Sequence, residues 1–216
     1  MPLNIDIVSD FVCPWCFIGK ARLQGALDDL RAQRPELDVR INWLPYFLNP
    51  DTPPAGEPYR AFLEAKFGGA KQVDAMHARV AEAGAPDVSF AFERMTIRPN
   101  TLRAHRLMYR AQAQGRRQTQ IAALADALFA AHFLEGRNIG DIDTLADIAT
   151  ACGDKTDAVR AYLESDADTA VVQRMAAQVQ QQGVTGVPFF ILNRKLAVSG
   201  AQSVAAMGAA LLQALE

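Results

Sequence analysis

The spacing of apolar residues changes from strand-like to helical at the place where two cysteines stand three positions apart. Residues 3–8 alternate apolar and polar side chains, which predicts a strand with one buried face. From Cys13 the apolar spacing becomes helical and continues to Pro35. Residues 38–47 alternate again. This part of the chain therefore predicts a strand, a helix and a second strand, and such a βαβ unit implies parallel pairing.

A cluster of prolines and glycines between residues 51 and 58 predicts that the chain leaves the sheet there. The sequence that follows, up to residue 182, is almost entirely helical in pattern. Helices are predicted at about 59–67, 70–83, 101–114, 117–134, 143–151, 156–164 and 167–182, and residues 86–98 are irregular.

After Gly183 the pattern returns to strands. Residues 187–192 and 196–199 predict a hairpin, and a last apolar-rich helix follows over residues 202–215. We therefore predict an α/β sheet domain that is interrupted by an inserted helical subdomain, whose last helix is a candidate to pack on the sheet. The predicted domains are residues 1–50 together with 183–216 and, between them, residues 51–182.

The composition is that of an ordinary globular protein. The chain has 216 residues, of which half are hydrophobic and 21% are charged, and its net charge is −2. It has no block of basic residues that would indicate nucleic-acid binding. No run reaches the roughly 18 apolar residues that a membrane span requires. The first residues lack the charged and apolar pattern of a secretory signal, so we expect a cytoplasmic protein.

The chain has three cysteines, which are too few for a secreted disulfide scaffold. Cys13 and Cys16 lie where the predicted strand ends and the predicted helix begins. Free N–H groups and the positive end of the helix dipole favour a thiolate in a first helical turn, so Cys13 is the predicted nucleophile. Cys16 is one turn further on the same face and is the predicted resolving thiol. Cys152, before a glycine at a helix end, is predicted to fill the core.

Two other interpretations of the cysteine pair compete with redox chemistry. Free cysteines are often simply buried apolar residues. A structural zinc site needs four ligands, and the chain offers only one CxxC pair and three histidines, none with ligand spacing to the cysteines. We therefore predict no metal site. The histidines are His77, His105 and His132.

The sequence around the cysteines and the sequence before the predicted hairpin together resemble a known family. Cys13-Pro14-Trp15-Cys16 is followed by Ile18-Gly19-Lys20, and Gly183-Val184-Thr185-Gly186-Val187-Pro188-Phe189-Phe190 stands far along the chain. Further matches are residues 47–50, 100–101, 104–106, 128–129, Phe133 and 199–202. The chain thus resembles the DsbA-like thioredoxin superfamily, in particular its FrnE-like branch. The resemblance implies a thioredoxin fold with an inserted all-helical subdomain.

The resemblance also implies how a substrate is held. It implies a cis peptide bond between Val187 and Pro188 that faces the Cys13 sulfur, with the backbone of Val187 presented to an extended substrate. Pro14 and Trp15 are then part of the same surface. Asn49, Ser199 and Gln202 are implied as cleft residues, although each could equally be a turn or cap residue. A lone histidine on a helix such as His105 is more often structural than catalytic.

The predicted activity is that of a thiol–disulfide oxidoreductase or isomerase. Its expected partners are protein substrates with disulfides or dithiols, or glutathione; no cofactor is expected to be tightly bound, and glutathione is a candidate co-substrate. Relatives with serine in place of Cys13 are glutathione-dependent 2-hydroxychromene-2-carboxylate isomerases and kappa-class transferases. The alternative is therefore a glutathione-dependent isomerase or transferase for a small aromatic or polyketide-like substrate. The sequence does not distinguish a monomer from a homodimer.

Two further expectations concern Trp15. A third, non-enzymatic interpretation is a chaperone-like binder with an apolar cleft surface around Phe11, Trp15 and Phe47. Trp15 also occupies the place of a histidine in strongly oxidising relatives, so we expect a less oxidising couple, at about −230 to −180 mV.

Overall fold

A four-stranded mixed sheet forms the centre of the protein, in a computed structural model that describes residues 2–216. Its strand order is β2-β1-β5-β6; β1 pairs in parallel with β2, whereas β1 with β5 and β5 with β6 are antiparallel. This is the βαβ and ββα arrangement of a thioredoxin fold, as predicted. The strands are β1 (Leu3–Ser9), β2 (Val39–Pro45), β5 (Phe189–Leu192) and β6 (Leu196–Ser199), and a separate ladder pairs β3 (Glu57–Pro58) with β4 (Ile97–Arg98).

Helices cover both faces of the sheet and make up most of the insertion. Among residues 2–216, no helix is long and apolar enough to cross a membrane. The helices are α1 (Pro14–Gln33), α2 (Tyr59–Phe67), α3 (Ala70–Gly84), α4 (Leu102–Ala113), α5 (Gln118–Phe133), α6 (Ile142–Ala151), α7 (Thr156–Glu164), α8 (Thr169–Gln181) and α9 (Val204–Ala214), and a single 3-10 turn spans Phe92–Arg94.

The insertion differs from its predicted form between residues 57 and 98. It is not entirely helical, because β3 and β4 pair antiparallel through Glu57 with Arg98 and Pro58 with Ile97. Strands of two residues are too short to show an alternating pattern. The stretch predicted to be irregular therefore contains both a 3-10 turn and one strand of this ladder. The domain boundaries at residues 51 and 182 stay a prediction.

Alternate residues of β1 point to opposite faces of the sheet. Ile7 lies against Leu23 and Leu27 of α1, on the face that α1 covers. Val8 points the other way and packs with Val179 of α8, so the last helix of the insertion does lie on the sheet. The sheet is thus buried on both faces, which explains why the cysteines at the end of β1 are enclosed.

A cluster of phenylalanine rings joins the sheet domain to the insertion. Phe17 of α1 stacks on Phe129 and Phe133 of α5 with ring centroids 5.4 and 5.7 Å apart. Phe11, just before α1, lies 5.2 Å from Phe129. Aromatic pairs at these distances add stabilisation beyond the apolar area that they bury. The first turn of α1 is therefore held by the insertion as well as by the sheet.

One buried arginine fixes the connection that leads into α8. Arg106 of α4 donates hydrogen bonds of 2.7 to 3.3 Å to four main-chain carbonyl groups in the last turn of α7 and in the connection to α8. Its guanidinium group also lies 5.0 Å from the centre of the Tyr162 ring. A planar guanidinium with five donors can satisfy several carbonyl groups at once, which an ammonium group cannot do in the same geometry. The carbonyls belong to Tyr162, Leu163, Ser165 and Ala167.

His132 of α5 should make the stability of the protein depend on pH. Burial lowers the pKa of His132 to about 4 from an ordinary value of 6.5, so the folded protein keeps this ring neutral while the unfolded chain takes up a proton. Stability from this residue is complete above pH 6.5 and declines as the pH falls toward 4, by about 3 kcal/mol. Urea unfolding at pH 7 and pH 4 measures the decline.

The His132→Gln variant is the reference for this measurement, because it has no ionisable ring. We expect its free energy of unfolding to fall less than that of the parent protein between the two pH values. Equal declines in both proteins would show that His132 is not responsible.

Candidate active site

The two cysteines occupy the start of α1, where the main chain changes direction after β1. Cys13 is the N-cap residue, with an extended backbone, and Pro14 is at the first helical position as predicted. The Cys13 N–H donates to the Asp10 carbonyl at 3.0 Å, and the Cys13 carbonyl accepts from the Cys16 N–H at 3.0 Å. The helix dipole therefore points its positive end at the Cys13 sulfur, which favours negative charge there.

Cys16 lies deeper than Cys13 and has a different environment. Both residues are largely enclosed, with 3% of Cys13 and 1% of Cys16 exposed, and neither is in a disulfide. Burial raises the pKa of the Cys16 thiol well above its ordinary value, and the adjacent Cys13 raises it further. Cys16 therefore keeps its proton at neutral pH.

The loop before β5 faces the Cys13 sulfur. The Val187–Pro188 peptide bond is cis, as the resemblance implies, and the Cys13 thiol donates to the Val187 carbonyl at a distance of 3.8 Å between sulfur and oxygen. Pro188 is buried and Val187 is half-buried. The two segments that carry the family resemblance thus meet at the Cys13 sulfur, where Cys13 and Val187 are 174 residues apart in the sequence.

Gly19 lets α1 and this loop approach each other. A Cβ atom at Gly19 would lie 2.8 Å from the Pro188 ring and 3.3 Å from the Phe190 ring, which is closer than atoms in proteins normally pack. Pro188 has little freedom to move away, because its carbonyl accepts a hydrogen bond of 2.9 Å from the Gly200 N–H. Only glycine fits at position 19 without a shift of the loop.

The predicted cleft residues divide into two groups. Ser199 is the last residue of β6 and Gln202 lies in the turn that follows, but the Gln202 side chain donates to the Ser199 carbonyl at 2.8 Å and so stabilises its own turn. Asn49 lines a separate cavity of about 270 Å³ with the amide side chains of Asn100 and Gln173. Neither cysteine is among the residues that line this cavity.

The apolar surface near the cysteines is smaller than predicted. Trp15 is 38% exposed, and Leu48, which was not among the residues expected on this apolar surface, is 39% exposed. Phe11 is buried and Phe47 is half-buried. The expectation of an open apolar surface at Phe11 is therefore wrong, because this ring packs on Phe129 inside the core.

A buried carboxylate that the sequence analysis missed lies behind the cysteines. Asp10 is 1% exposed; one of its oxygens accepts from the Leu48 N–H at 2.9 Å, and the other lies 3.3 Å from Nε2 of His105. The same Nε2 is 3.2 Å from the Tyr46 carbonyl, so it must carry a hydrogen and donate. His105 is thus a structural link between Asp10 and the loop after β2. The sequence feature that could have pointed to Asp10 is its position three residues before Cys13.

Cys152 and the other candidate metal ligands do not join this site. Cys152 is half-buried at the end of α6 and packs against the core, and burial raises the pKa of its thiol. Within residues 2–216, no group of three or more histidine, cysteine or acidic side chains is placed to hold a metal ion.

The fold and the site define a thioredoxin-fold protein with a dithiol at the start of its first helix. The family model of the DSBA-like thioredoxin domain matches residues 4–212, and the chain belongs to this family. The FrnE-like branch is compatible with this result and stays a prediction.

Three solved structures are similar to the chain. It is 30% identical to a probable DsbA oxidoreductase from Streptomyces coelicolor, with a TM-score of 0.86 and coverage of 99% of this chain and 90% of that one. A 2-hydroxychromene-2-carboxylate isomerase is 17% identical, with a TM-score of 0.67 and coverage of 97% and 95%. A cytosolic disulfide reductase, DsbM from Pseudomonas aeruginosa with GSH, is 18% identical, with a TM-score of 0.66 and coverage of 98% of each chain. The last two share the fold.

Replacing Gly19 by alanine should displace the loop that faces Cys13. The added methyl group would overlap the Pro188 ring, and misplacement of a reacting group by about 1 Å can cost up to a hundredfold in rate. We expect Gly19→Ala to slow disulfide exchange between the protein and a peptide disulfide by at least about tenfold. Stopped-flow fluorescence of the nearby tryptophan measures this rate.

The matched control is Gly208→Ala in α9, where a Cβ atom would meet no atom within 4 Å. This variant should exchange disulfides at the parental rate and should be slightly more stable, because alanine favours a helix. A Gly19→Ala protein with the parental exchange rate would contradict the role of the close approach.

Proposed function

We propose that the protein is a thiol–disulfide oxidoreductase, with Cys13 as the nucleophile and Cys16 as the resolving thiol. The observation that carries this proposal is the inequality of the two sulfurs. Cys13 lies at the positive end of α1 and faces the loop before β5, whereas Cys16 lies deeper and burial raises the pKa of its thiol. A dithiol whose two sulfurs react in sequence needs one thiol that readily forms a nucleophilic thiolate. The other must stay protonated until the mixed disulfide has formed.

Reduction of a substrate then proceeds in two exchanges. The Cys13 thiolate attacks one sulfur of the substrate disulfide, a mixed disulfide forms, and the other substrate sulfur leaves as a thiolate that takes up a proton. Cys16 then loses its proton and attacks the Cys13 sulfur, which releases the second substrate thiolate and leaves a Cys13–Cys16 disulfide. The reverse sequence oxidises a substrate dithiol. The direction depends on the reduction potential of the partner.

The substrate we propose is an extended peptide with a disulfide or a dithiol, or glutathione. The Val187 backbone beside Cys13 is available for main-chain hydrogen bonds, which hold a peptide without reading much of its sequence. Pro14, Pro188 and the exposed Trp15 ring would then form the walls of the groove. Roles for Asn49, Ser199 and Gln202, a cytoplasmic location and the oligomeric state stay predictions.

The decisive experiment separates the two cysteines. We expect Cys13→Ser to abolish the acceleration by this protein of insulin reduction by dithiothreitol, and Cys16→Ser to accumulate mixed disulfides that mass spectrometry identifies. Cys152→Ser is the control and should behave like the parent protein, since Cys152 lies at the end of α6 and packs against the core. Unchanged activity of Cys13→Ser would falsify the assignment.

The same trapping experiment tests the alternative, a glutathione-dependent isomerase or transferase for a small aromatic substrate. In that chemistry the enzyme holds the glutathione thiolate, and no resolving thiol is needed. An isomerase would therefore keep its activity in the Cys16→Ser variant and would trap no protein substrate. A chaperone-like binder would keep its activity when both cysteines are replaced.

The identity of residue 15 should set the reduction potential. With tryptophan there, no imidazole stabilises the Cys13 thiolate, so we expect a potential of about −230 to −180 mV in a glutathione titration. Trp15→His should move the potential toward the roughly −120 mV of the strongest oxidants. Trp15→Phe, which keeps an aromatic ring without an ionisable group, is the control and should leave it unchanged. A parental value near −120 mV would contradict this expectation.

A further inference from the structure

The hydroxyl group of Ser9 is enclosed and has no hydrogen-bond partner among residues 2–216. Ser9 is the last residue of β1 and is 1% exposed. A buried hydroxyl without a partner is uncommon in folded proteins, because it loses its hydrogen bonds to water and gains none in return. An alanine at this position would avoid that loss. The serine therefore needs an explanation that the reduced, resting structure does not supply.

The Ser9 side chain lies on the face of the sheet that is covered by α1, the helix that carries the resolving cysteine. Ser9 follows Leu3, Ile5 and Ile7 on the face of β1 that α1 covers. Cys16 is the first fully buried residue of α1. The Ser9 hydroxyl and the backbone of Asp10 are the groups next to Cys16 that lower the pKa of its thiol, against the larger effect of burial.

We propose that the Ser9 hydroxyl turns to donate a hydrogen bond to the Cys16 sulfur whenever that sulfur is an anion, beside a second donor, the N–H of Asp10. The inference rests on the proposed function, because Cys16 becomes an anion only during disulfide exchange. The Ser9 hydroxyl, which has no hydrogen-bond partner while Cys16 is a thiol, then donates to the Cys16 thiolate. Hydrogen bonds to a charged group are the strong ones, and most so where water is excluded.

The two directions of exchange use this donor in the same way. During resolution, Cys16 gives its proton to solvent water, a bond forms between Cys16 and Cys13, and the bond from Cys13 to the substrate sulfur breaks. The departing substrate thiolate takes up a proton, so the net charge is unchanged. During substrate oxidation, the substrate thiolate attacks Cys13 and Cys16 is the leaving thiolate. Ser9 stabilises the buried anion in both cases.

Few other ionisable groups face Cys16. Cys13 lies one turn before it, and its negative charge would disfavour a second anion; in the mixed disulfide Cys13 carries no charge. The Asp10 carboxylate is turned away, toward the Leu48 N–H and His105. His132 is a further titratable group near Asp10, and it is neutral at pH 7 because burial lowers its pKa to about 4. Changes in the reactivity of Cys16 between pH 7 and pH 10 therefore report mainly on Cys16 itself.

The test uses an aromatic disulfide, 5,5′-dithiobis(2-nitrobenzoate), whose thiolate is coloured. The reduced protein should release one thiolate when Cys13 attacks and a second when Cys16 resolves, and stopped-flow absorbance separates the two phases. In Ser9→Ala we expect an unchanged first phase. We expect the second phase to slow about threefold at pH 7, because about tenfold fewer Cys16 thiolates are partly offset by greater nucleophilicity. The pH midpoint of this phase should rise by about one unit.

Two comparisons separate a donor from a purely structural serine. Ser9→Thr keeps the hydroxyl and should retain the parental second phase, whereas Ser203→Ala removes an exposed helix cap and should alter neither phase. Because the Ser9 hydroxyl has no partner in the resting protein, reduced Ser9→Ala should be at least as stable to urea as the parent. A structural serine would instead show lost stability.

The outcomes distinguish this inference from the proposed function. A parental second phase and pH midpoint in Ser9→Ala, or equal slowing in Ser9→Ala and Ser9→Thr, would overturn the role of Ser9 alone. A second phase of thiolate release that persists in the Cys16→Ser variant would overturn the proposed function. The proposed role of Ser9 would then be overturned as well.

Discussion

The placement of the first turn of α1 is the constraint on which the rest of the site depends. On one side Gly19 allows the loop with Pro188 to come against the helix, and on the other Phe17 stacks on the rings of α5. These contacts come from opposite ends of the chain and from the insertion. The direction of the helix dipole at Cys13, and the distance from Cys13 to Val187, follow from this packing.

Much of this arrangement could be predicted from local sequence. The alternation in β1 and β2, the helical stripe of α1 and the proline after Cys13 act over a few residues, so the βαβ unit was predictable. The partners of Asp10 could not be predicted, because His105 is 95 residues away and Leu48 is 38. Ser9 was missed for another reason. Its face on β1 could be counted, but the absence of a hydrogen-bond partner is a property of the folded packing.

The insertion shapes the site although it supplies neither sulfur. His105 of α4 lies against the Asp10 carboxylate, and Arg106 beside it fixes the connection that leads α8 onto the sheet. His105 and Arg106 are adjacent on α4. His105 thus contacts Asp10 before the cysteines, and Arg106 contacts the connection between α7 and α8. Since a buried guanidinium and a buried carboxylate are each held by directional hydrogen bonds, these links favour one relative position of the helices.

Burial of Cys16 has two opposing effects on a dithiol of this kind. An enclosed thiol is protected from oxidants and from unwanted partners, since reactivity follows exposure and thiolate character. The same enclosure makes its thiolate costly, which delays resolution and leaves a mixed disulfide at Cys13 for longer. Donors that act only on the anion can lower that cost without exposing the sulfur. A buried resolving cysteine therefore works best where strand and helix ends converge, because free N–H and O–H groups are available there.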